Sequence, residues 1–449
     1  MGLAFLGLII ITSWWFISNN ERASAHPEEG VIDVWVTWGD NPATLQAFFD
    51  RYDQPVRVRT GLKYDRAMKA LAGSNPPDLM ILSTREPVQW AYEEGLILPV
   101  DTLNAAERIA MADFFPALLA PCAAPDGRTT CMPLGGSVDL LYWNKDLFEA
   151  AGLAPDQPPR TMEELVSYAD QLTIRDEAGD LTQIGFVPDF PRSHLDLYAR
   201  DFGGSPVAAG GVDLPADSQP VVDAMNWQLQ FYGLYSPAEA QDFLSALTPY
   251  TPQTASGHPR FAGRRLSCQQ CHHLAPARQD KLPDLGFYSG HVAMIVDGQW
   301  QMGPNAVSHF HPDLNYGVAP LPAPTDHPER AGTTLAQGPV AVLPTGGHDQ
   351  EATAELVAWM TAPDNQADFA AIHTLLPVSR AAAEDERFAQ SPHFTMAIGL
   401  LAQSNASYRA PSSLAPELND AWREAEGEIL HEEGDLTCVL DALRSESTP

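Results

Sequence analysis

Between residues 31 and 82, short apolar runs alternate with amphipathic stretches. Val31-Ile32-Asp33-Val34-Trp35-Val36 reads as a buried strand, Ala43 to Asp50 as a helix and Val56-Arg57-Val58-Arg59 as a second strand. Tyr64 to Ala72 follows as a helix and Asp78 to Leu82 as a third strand. Alternation at this spacing predicts βαβ units and a parallel sheet. In an open sheet of this kind ligands sit beyond the carboxyl ends of the strands, here Thr37 to Asn41 and Ser83-Thr84-Arg85.

A second unit begins with Val138 to Phe148, and Thr161-Met162-Glu163-Glu164 is a capping box that opens a helix to about Leu172. Asn144 and Asp146 read as structural, holding the strand to its helix. Gly203-Gly204 and Gly210-Gly211 bracket a turn-rich stretch before a helical pattern from Val221 to Tyr232. From Thr248 to Pro283 periodicity disappears, and the segment reads as an insertion before a strand at Val292 to Val296. Near the C-terminus Leu418, Trp422, Ala425 and Ile429 form one apolar stripe of a helix ended by Gly434, and Leu436, Val439, Leu440 and Leu443 begin another. There are no internal repeats.

Charge narrows the function classes. Lys+Arg 26 against Asp+Glu 58 leaves −32, too acidic for unaided binding to a nucleic-acid backbone. With 45% hydrophobic residues over 449 positions the chain is globular and long enough for two domains or more. No Gly-x-Ser-x-Gly elbow occurs, and His194, His311 and His373 are scattered, so the expectation is a protein that is not an enzyme. Arg57 and Arg59 alternate on one strand and read as a solvated edge rather than a phosphate clamp. Lysine occurs only at 63, 69, 145 and 281, and a neutral ligand is expected over a phosphorylated one.

Residues 1–25 combine an apolar run with Ala23-Ser24-Ala25, the form of a signal peptide with its cleavage site. No basic residue precedes the run, so an uncleaved N-terminal anchor is the alternative. Either way the chain is expected to be exported, to the periplasm or the extracellular face of the cytoplasmic membrane. In that oxidising setting Cys122 and Cys131, flanking the Pro125-Asp126-Gly127 turn, are expected to form a disulfide across a hairpin. Cys268, Cys271 and Cys438 remain, an odd number.

Several motifs then occur in a telling order. They are Pro76-Pro77-Asp78-Leu79-Met80-Ile81-Leu82, Gly95-Leu96-Ile97-Leu98-Pro99, Trp143 to Phe148, Pro159 to Leu165, Ser289 to Trp300, Tyr316 to Pro322 and Leu376-Pro377-Val378. Together they resemble the family-1 extracellular solute-binding proteins, the maltose- and glycerol-phosphate-type receptors of carbohydrate ABC importers. The resemblance implies an α/β, two-lobed periplasmic-binding-protein-like fold of type II, each lobe a mainly parallel sheet flanked by helices, joined by a multi-crossing hinge. It implies a first lobe of 31–137 plus 340–385, a second of 138–339 plus 386–449, and an insertion at 250–284 within the second. It further implies a monomer that binds a small-molecule carbohydrate between the lobes and meets the membrane through ABC permease subunits.

Carried over by position, the resemblance assigns ligand contacts to Trp38, Asp40 and Asn41 in the first loop and to Ser83 and Thr84 after the third strand. Gly203 and Gly204 fall in a second-lobe loop, and Trp300 ends the Asp-Gly-x-Trp motif. An indole suits the apolar C–H face of a sugar ring, and carboxylates and amides suit its hydroxyls. Core packing is the alternative for Trp38 and Trp300, and Asp40 serves equally as a helix N-cap. Trp35 reads as core.

One motif departs from the family. Cys268-Gln269-Gln270-Cys271-His272, inside the insertion, has the form of a covalent haem c attachment site with His272 on the iron. His258, His273, His291, Met294 and Met302 are candidates for a second axial ligand. Zinc held by Cys268, Cys271 and histidines is another reading, and a loop-pinning disulfide, local or through Cys438, a third. The first two make a redox or metal-binding protein on the same scaffold the rival to the sugar receptor.

Overall fold

A computed structural model describes residues 30–38, 42–62, 64–83, 87–190, 192–204, 219–247, 286–302, 313–408 and 424–431. The Cys268-Cys271-His272 motif, Cys438 and the N-terminal segment lie outside these residues, as do Gly434 and the helix expected after it.

The strands assemble into two large sheets. In the first, Ile32–Val36 lies between Val56–Arg59 and Leu79–Leu82, parallel to both. Val340–Pro344 then pairs antiparallel with Leu79–Leu82 on one side and with Met132–Pro133 and Ile97–Leu98 on the other. In the second sheet the order is Tyr316–Ala319, Asp139–Asn144, Val292–Gly298, Leu181–Phe186 and Ile174–Arg175. Ile32–Val36, Leu79–Leu82, Asp139–Asn144 and Val292–Gly298 are buried along their whole length, and apart from Asp33, Asp139, Asn144 and Asp297 they read as apolar runs.

The expected mainly parallel sheets are corrected in the second lobe, where among the described residues only Leu181–Phe186 and Val292–Gly298 run parallel and the other pairings are antiparallel. The reason is where the chain enters. Asp139–Asn144 begins at the passage between the sheets and runs outward, whereas Val292–Gly298 ends there. Val340–Pro344 likewise runs outward in the first sheet against the inward Leu79–Leu82.

The passages are packed backbone to backbone. Residues 134–138 leave the first sheet and 336–339 return to it, joined by Leu134 N to Pro339 O at 3.0 Å and by Ser137 N to Gln337 O at 2.7 Å. Gly136 exchanges two 2.7 Å hydrogen bonds with Leu376 on the other side. Glycine is required here: a Cβ on Gly338 would stand 2.0 Å from the Gly135 carbonyl oxygen, and φ at 338 is +149°.

Local chemistry explains the helix starts. The Asn144 side chain accepts from the amides of Asp146 and Leu147 at 3.0 and 3.1 Å, the structural role expected of it. Thr161 caps Met162–Leu172 through Glu164 N at 3.1 Å, while the Glu164 carboxylate reaches back past it to the Arg160 amide at 2.6 Å. Residues 386–394 were expected in the second lobe but pack on Pro363–Ile372: Phe388 sits in a cluster with Ala367 and Ala370, and Arg387 binds Asp368 at 2.6 Å. The expected division at 385 thus falls inside one packed group. Helix 424–431 buries Ala425 and Ile429 of the C-terminal stripe, with Leu430 beside them, while Leu418 and Trp422 lie outside the described residues.

Val56–Arg59 is the edge strand of the first sheet, as expected, but Arg57 and Arg59 are ion-paired there and only partly exposed. The parallel register sets their strand beside Asp33, whose carboxylate pairs with Arg57 at 3.0 Å and Arg59 at 3.5 Å, and Arg59 also lies over the Trp35 ring. Trp35 is core, its indole N–H donating to Asp33 at 2.9 Å.

Cys122 and Cys131 form a disulfide with Cα atoms 5.0 Å apart, closed by a turn in which Gly127 N donates to Ala124 O and Gly127 adopts φ +86°. The hairpin is a single bridge, Ala123 to Thr129, because Cys122 already ends a 3-10 turn. Reduction is expected to cost about 2–3 kcal/mol. Urea unfolding with and without reductant measures it, and equal midpoints would contradict the expectation.

Candidate functional site

The passage-facing ends of the two sheets hold the predicted aromatics. Ile32–Val36 delivers Trp38, half-buried, and its indole N–H donates to His373 Nδ1 at 3.4 Å with the rings edge to face at 5.4 Å. Phe369 backs the same imidazole at 4.8 Å. Beside them Thr37 Oγ1 accepts from the Ser83 amide at 2.9 Å and its hydroxyl meets Ser83 Oγ at 3.3 Å, tying the first loop to the one after the third strand. Ser83 is exposed and free to face solvent. Asp40, Asn41 and Thr84 lie outside the described residues.

In the second sheet Val292–Gly298 delivers Trp300. Its ring occupies the space above Gly298, where a Cβ would come within 2.2 Å of the indole. The Arg192 guanidinium stands over the ring, 4.9 Å from its centroid. Two carboxylates hold that guanidinium: Asp297, at 2.8 Å, and Asp139. Both carboxylates are 3% exposed against 34% for Arg192. Asp139 and Asp297 lie at the end of two neighbouring strands, opposite Gly298 and Leu140 respectively, and Arg192 bridges the two acids there. Asp297 also accepts from the Gly298 amide at 2.8 Å and from Gln301.

A buried relay joins the two aromatic positions. Gln299, next to Trp300, accepts from Val138 N at 3.0 Å and donates to Thr374 O at 3.0 Å, and Thr374 follows His373. Among the described residues Thr374 is the non-glycine with positive φ, at +54°, a conformation that costs a β-branched residue on the order of 1–3 kcal/mol. The path Trp38, His373, Thr374, Gln299, Trp300 therefore crosses from one sheet to the other at the passage.

Gly203 and Gly204 have a different place. Gly203, at φ +93°, ends helix Leu195–Asp201, with Gly204 N donating to Ala199 O at 2.9 Å, and it packs against the His327 ring and under Arg330. Helix termination accounts for this pair of glycines. Sequence reasoning missed Arg192, Asp139, Asp297, Gln299 and His373. A signal existed only for Asp297, inside the Asp-Gly-x-Trp motif; Arg192 lies 53 residues from Asp139 and 105 from Asp297. Among the described residues no three His, Cys, Asp or Glu side chains converge as a metal site, and no helix is long and apolar enough to cross a membrane.

The architecture has solved counterparts. CpMnBP1 with mannotriose bound superposes with a TM-score of 0.75 at 22% identity, covering 93% of this chain and 100% of that one. UgpB from Mycobacterium tuberculosis in complex with glycerophosphocholine gives 0.68 at 19% identity, over 93% and 98%. Among curated proteins, the sn-glycerol-3-phosphate-binding periplasmic protein UgpB of Rhizobium meliloti is 22% identical over 323 residues, 71% of this chain and 66% of the relative. Its Pectobacterium atrosepticum counterpart is 25% identical over 58% of this chain and 51% of its own. The chain thus spans about half to just under two thirds of these relatives' lengths. Residues 43–396 match the family described as bacterial extracellular solute-binding protein, and this two-lobed α/β chain belongs to that family.

Proposed function

We propose that the protein is the solute receptor of an ABC importer, that it binds a neutral carbohydrate between its lobes, and that it hands this ligand to permease subunits without altering it. The observation that carries the reading is the pair Trp38 and Trp300, presented from opposite sheets and linked through His373, Thr374 and Gln299. Ligand that touches both indoles is sensed by both lobes, as a closing receptor requires. The mannotriose complex of CpMnBP1 on the same fold supports the carbohydrate assignment. Curated relatives named for glycerol 3-phosphate favour a phosphoester as the second reading.

Titration calorimetry against mannotriose, maltotriose and glycerol 3-phosphate tests the proposal. Neutral oligosaccharide should bind, and Trp38→Ala or Trp300→Ala should weaken it by about 1–3 kcal/mol with little change in Tm. Equal losses of Tm in both variants would assign the tryptophans to the core. Export to the periplasm or the extracellular face of the cytoplasmic membrane, by a cleaved or retained N-terminal segment, and a monomeric state belong to the same proposal.

The complete Cys268-x-x-Cys271-His272 motif keeps a bound haem c or zinc as an additional proposal. Protein purified from its native host should then show a Soret band or stoichiometric zinc, and the lack of both would leave the disulfide.

A further inference from the structure

We infer that Arg192, clamped by Asp139 and Asp297 over the Trp300 ring, is the specificity element that makes this cleft reject anionic ligands. The inference rests on the carbohydrate reading of the site and adds to it the basis of discrimination against phosphoesters.

A guanidinium near a cleft ordinarily invites a phosphate, because its planar fork matches phosphate oxygens. Here the fork is spent on protein carboxylates. Asp297 takes one terminal nitrogen at 2.8 Å and Asp139 takes the other, and the flat face of the group rests on the indole at 4.9 Å. One cation faces two anions, so these three side chains sum to −1. Both carboxylates are nearly inaccessible, which weakens screening by salt.

The Asp297 carboxylate is held independently of the arginine, and the backbone that carries Asp139 is fixed. Asp297 is also held by the Gly298 amide at 2.8 Å and by Gln301, which in turn accepts from Tyr288. Asp139 opens a strand paired on one edge with Val292–Gly298, and its own amide donates to Thr334 at 2.8 Å. An incoming phosphoester would have to displace a carboxylate from Arg192 and leave it buried beside a second one, at a cost a neutral ligand avoids. A neutral sugar can approach the exposed part of the Arg192 side chain and the Trp300 indole without adding charge beside the buried acids.

The test uses the full-length mature protein with mannotriose and glycerol 3-phosphate as probes, at low and at about 0.2 M salt. Wild type should bind the trisaccharide, and glycerol 3-phosphate should not displace it. Asp139→Asn and Asp297→Asn should each raise affinity for glycerol 3-phosphate by about tenfold or more, and because the carboxylates are shielded from salt most of the gain should persist at about 0.2 M. Asp139→Glu, which keeps the charge, should retain rejection. If wild type selects the neutral sugar while both Asn variants remain indifferent to glycerol 3-phosphate, the charge clamp is refuted and the carbohydrate reading survives. If wild type prefers glycerol 3-phosphate, both fall. Should the Asn variants fail to fold, competition on wild type decides: displacement of mannotriose by glycerol 3-phosphate at comparable concentration overturns the inference.

Discussion

Replacing Glu426 with Gln should make the protein more stable at pH 8 and leave it nearly unchanged at pH 4. Glu426 is 2% exposed on helix 424–431, and burial, reinforced by the Asp189 carboxylate, pushes its pKa up from 4.5 to about 8 against the hydrogen bonds of Ser193 and Gln228 and the charge of His431. Because the folded pKa lies above the unfolded one, the native state binds the proton more tightly. Its contribution is complete below pH 4.5 and is lost as pH rises towards 8. At roughly 1.4 kcal/mol per unit the whole loss is on the order of 5 kcal/mol, about 3 of it by pH 7. The neutral amide keeps the shape and removes the penalty. Denaturant unfolding of both proteins across pH 4–9 reads the difference, and a gap that does not widen with pH would show that Glu426 does not titrate in this window.

A second large effect is expected at Gly185. Strand Leu181–Phe186 passes so close to helix Met162–Leu172 that a Cβ at 185 would lie 2.2 Å from the Ala169 carbonyl oxygen and 2.5 Å from its Cα. Backbone cannot yield as a side-chain tip can, so Gly185→Ala should cost about 3 kcal/mol or more, the upper end of overpacking. Gly399→Ala is the control: nothing lies within 4 Å of its Cβ, and in helix Pro392–Leu401 the change should stabilise by about 0.5–1 kcal/mol. Similar melting of the two variants would mean that the sheet and helix separate freely.

What the sequence disclosed and what it hid divide along a physical line. Strands such as Leu79–Leu82 and Val292–Gly298 are apolar on both faces, so their burial is written in consecutive residues. Asn144 and Thr161 act on amides two or three positions away, within reach of a local pattern. Trp38, Ser83 and Trp300 were named through family motifs, and each lies at the loop end of its strand or just after it. Arg192 has no such signature, since its meaning comes from Asp139 and Asp297, which lie far off in sequence and come within its reach only when their strands become neighbours. The same holds for Arg57 and Arg59, whose partner Asp33 belongs to the neighbouring strand. Gly203 is legible on local grounds of another kind: a left-handed glycine after a helix follows from helix termination, whether or not its loop also meets ligand.

The place of Val340–Pro344 fixes an order of completion as the chain is made. Every strand of the second sheet lies between residues 139 and 319, whereas the first sheet lacks a central member until residue 344 has emerged. A chain still being synthesised or threaded across a membrane can therefore finish the later sheet before the earlier one. In that interval Leu79–Leu82 presents an open, wholly apolar edge, the kind that pairs with foreign strands. The half of the molecule that appears first is the half that must wait, and a chaperone guarding this protein in transit would have its main task there.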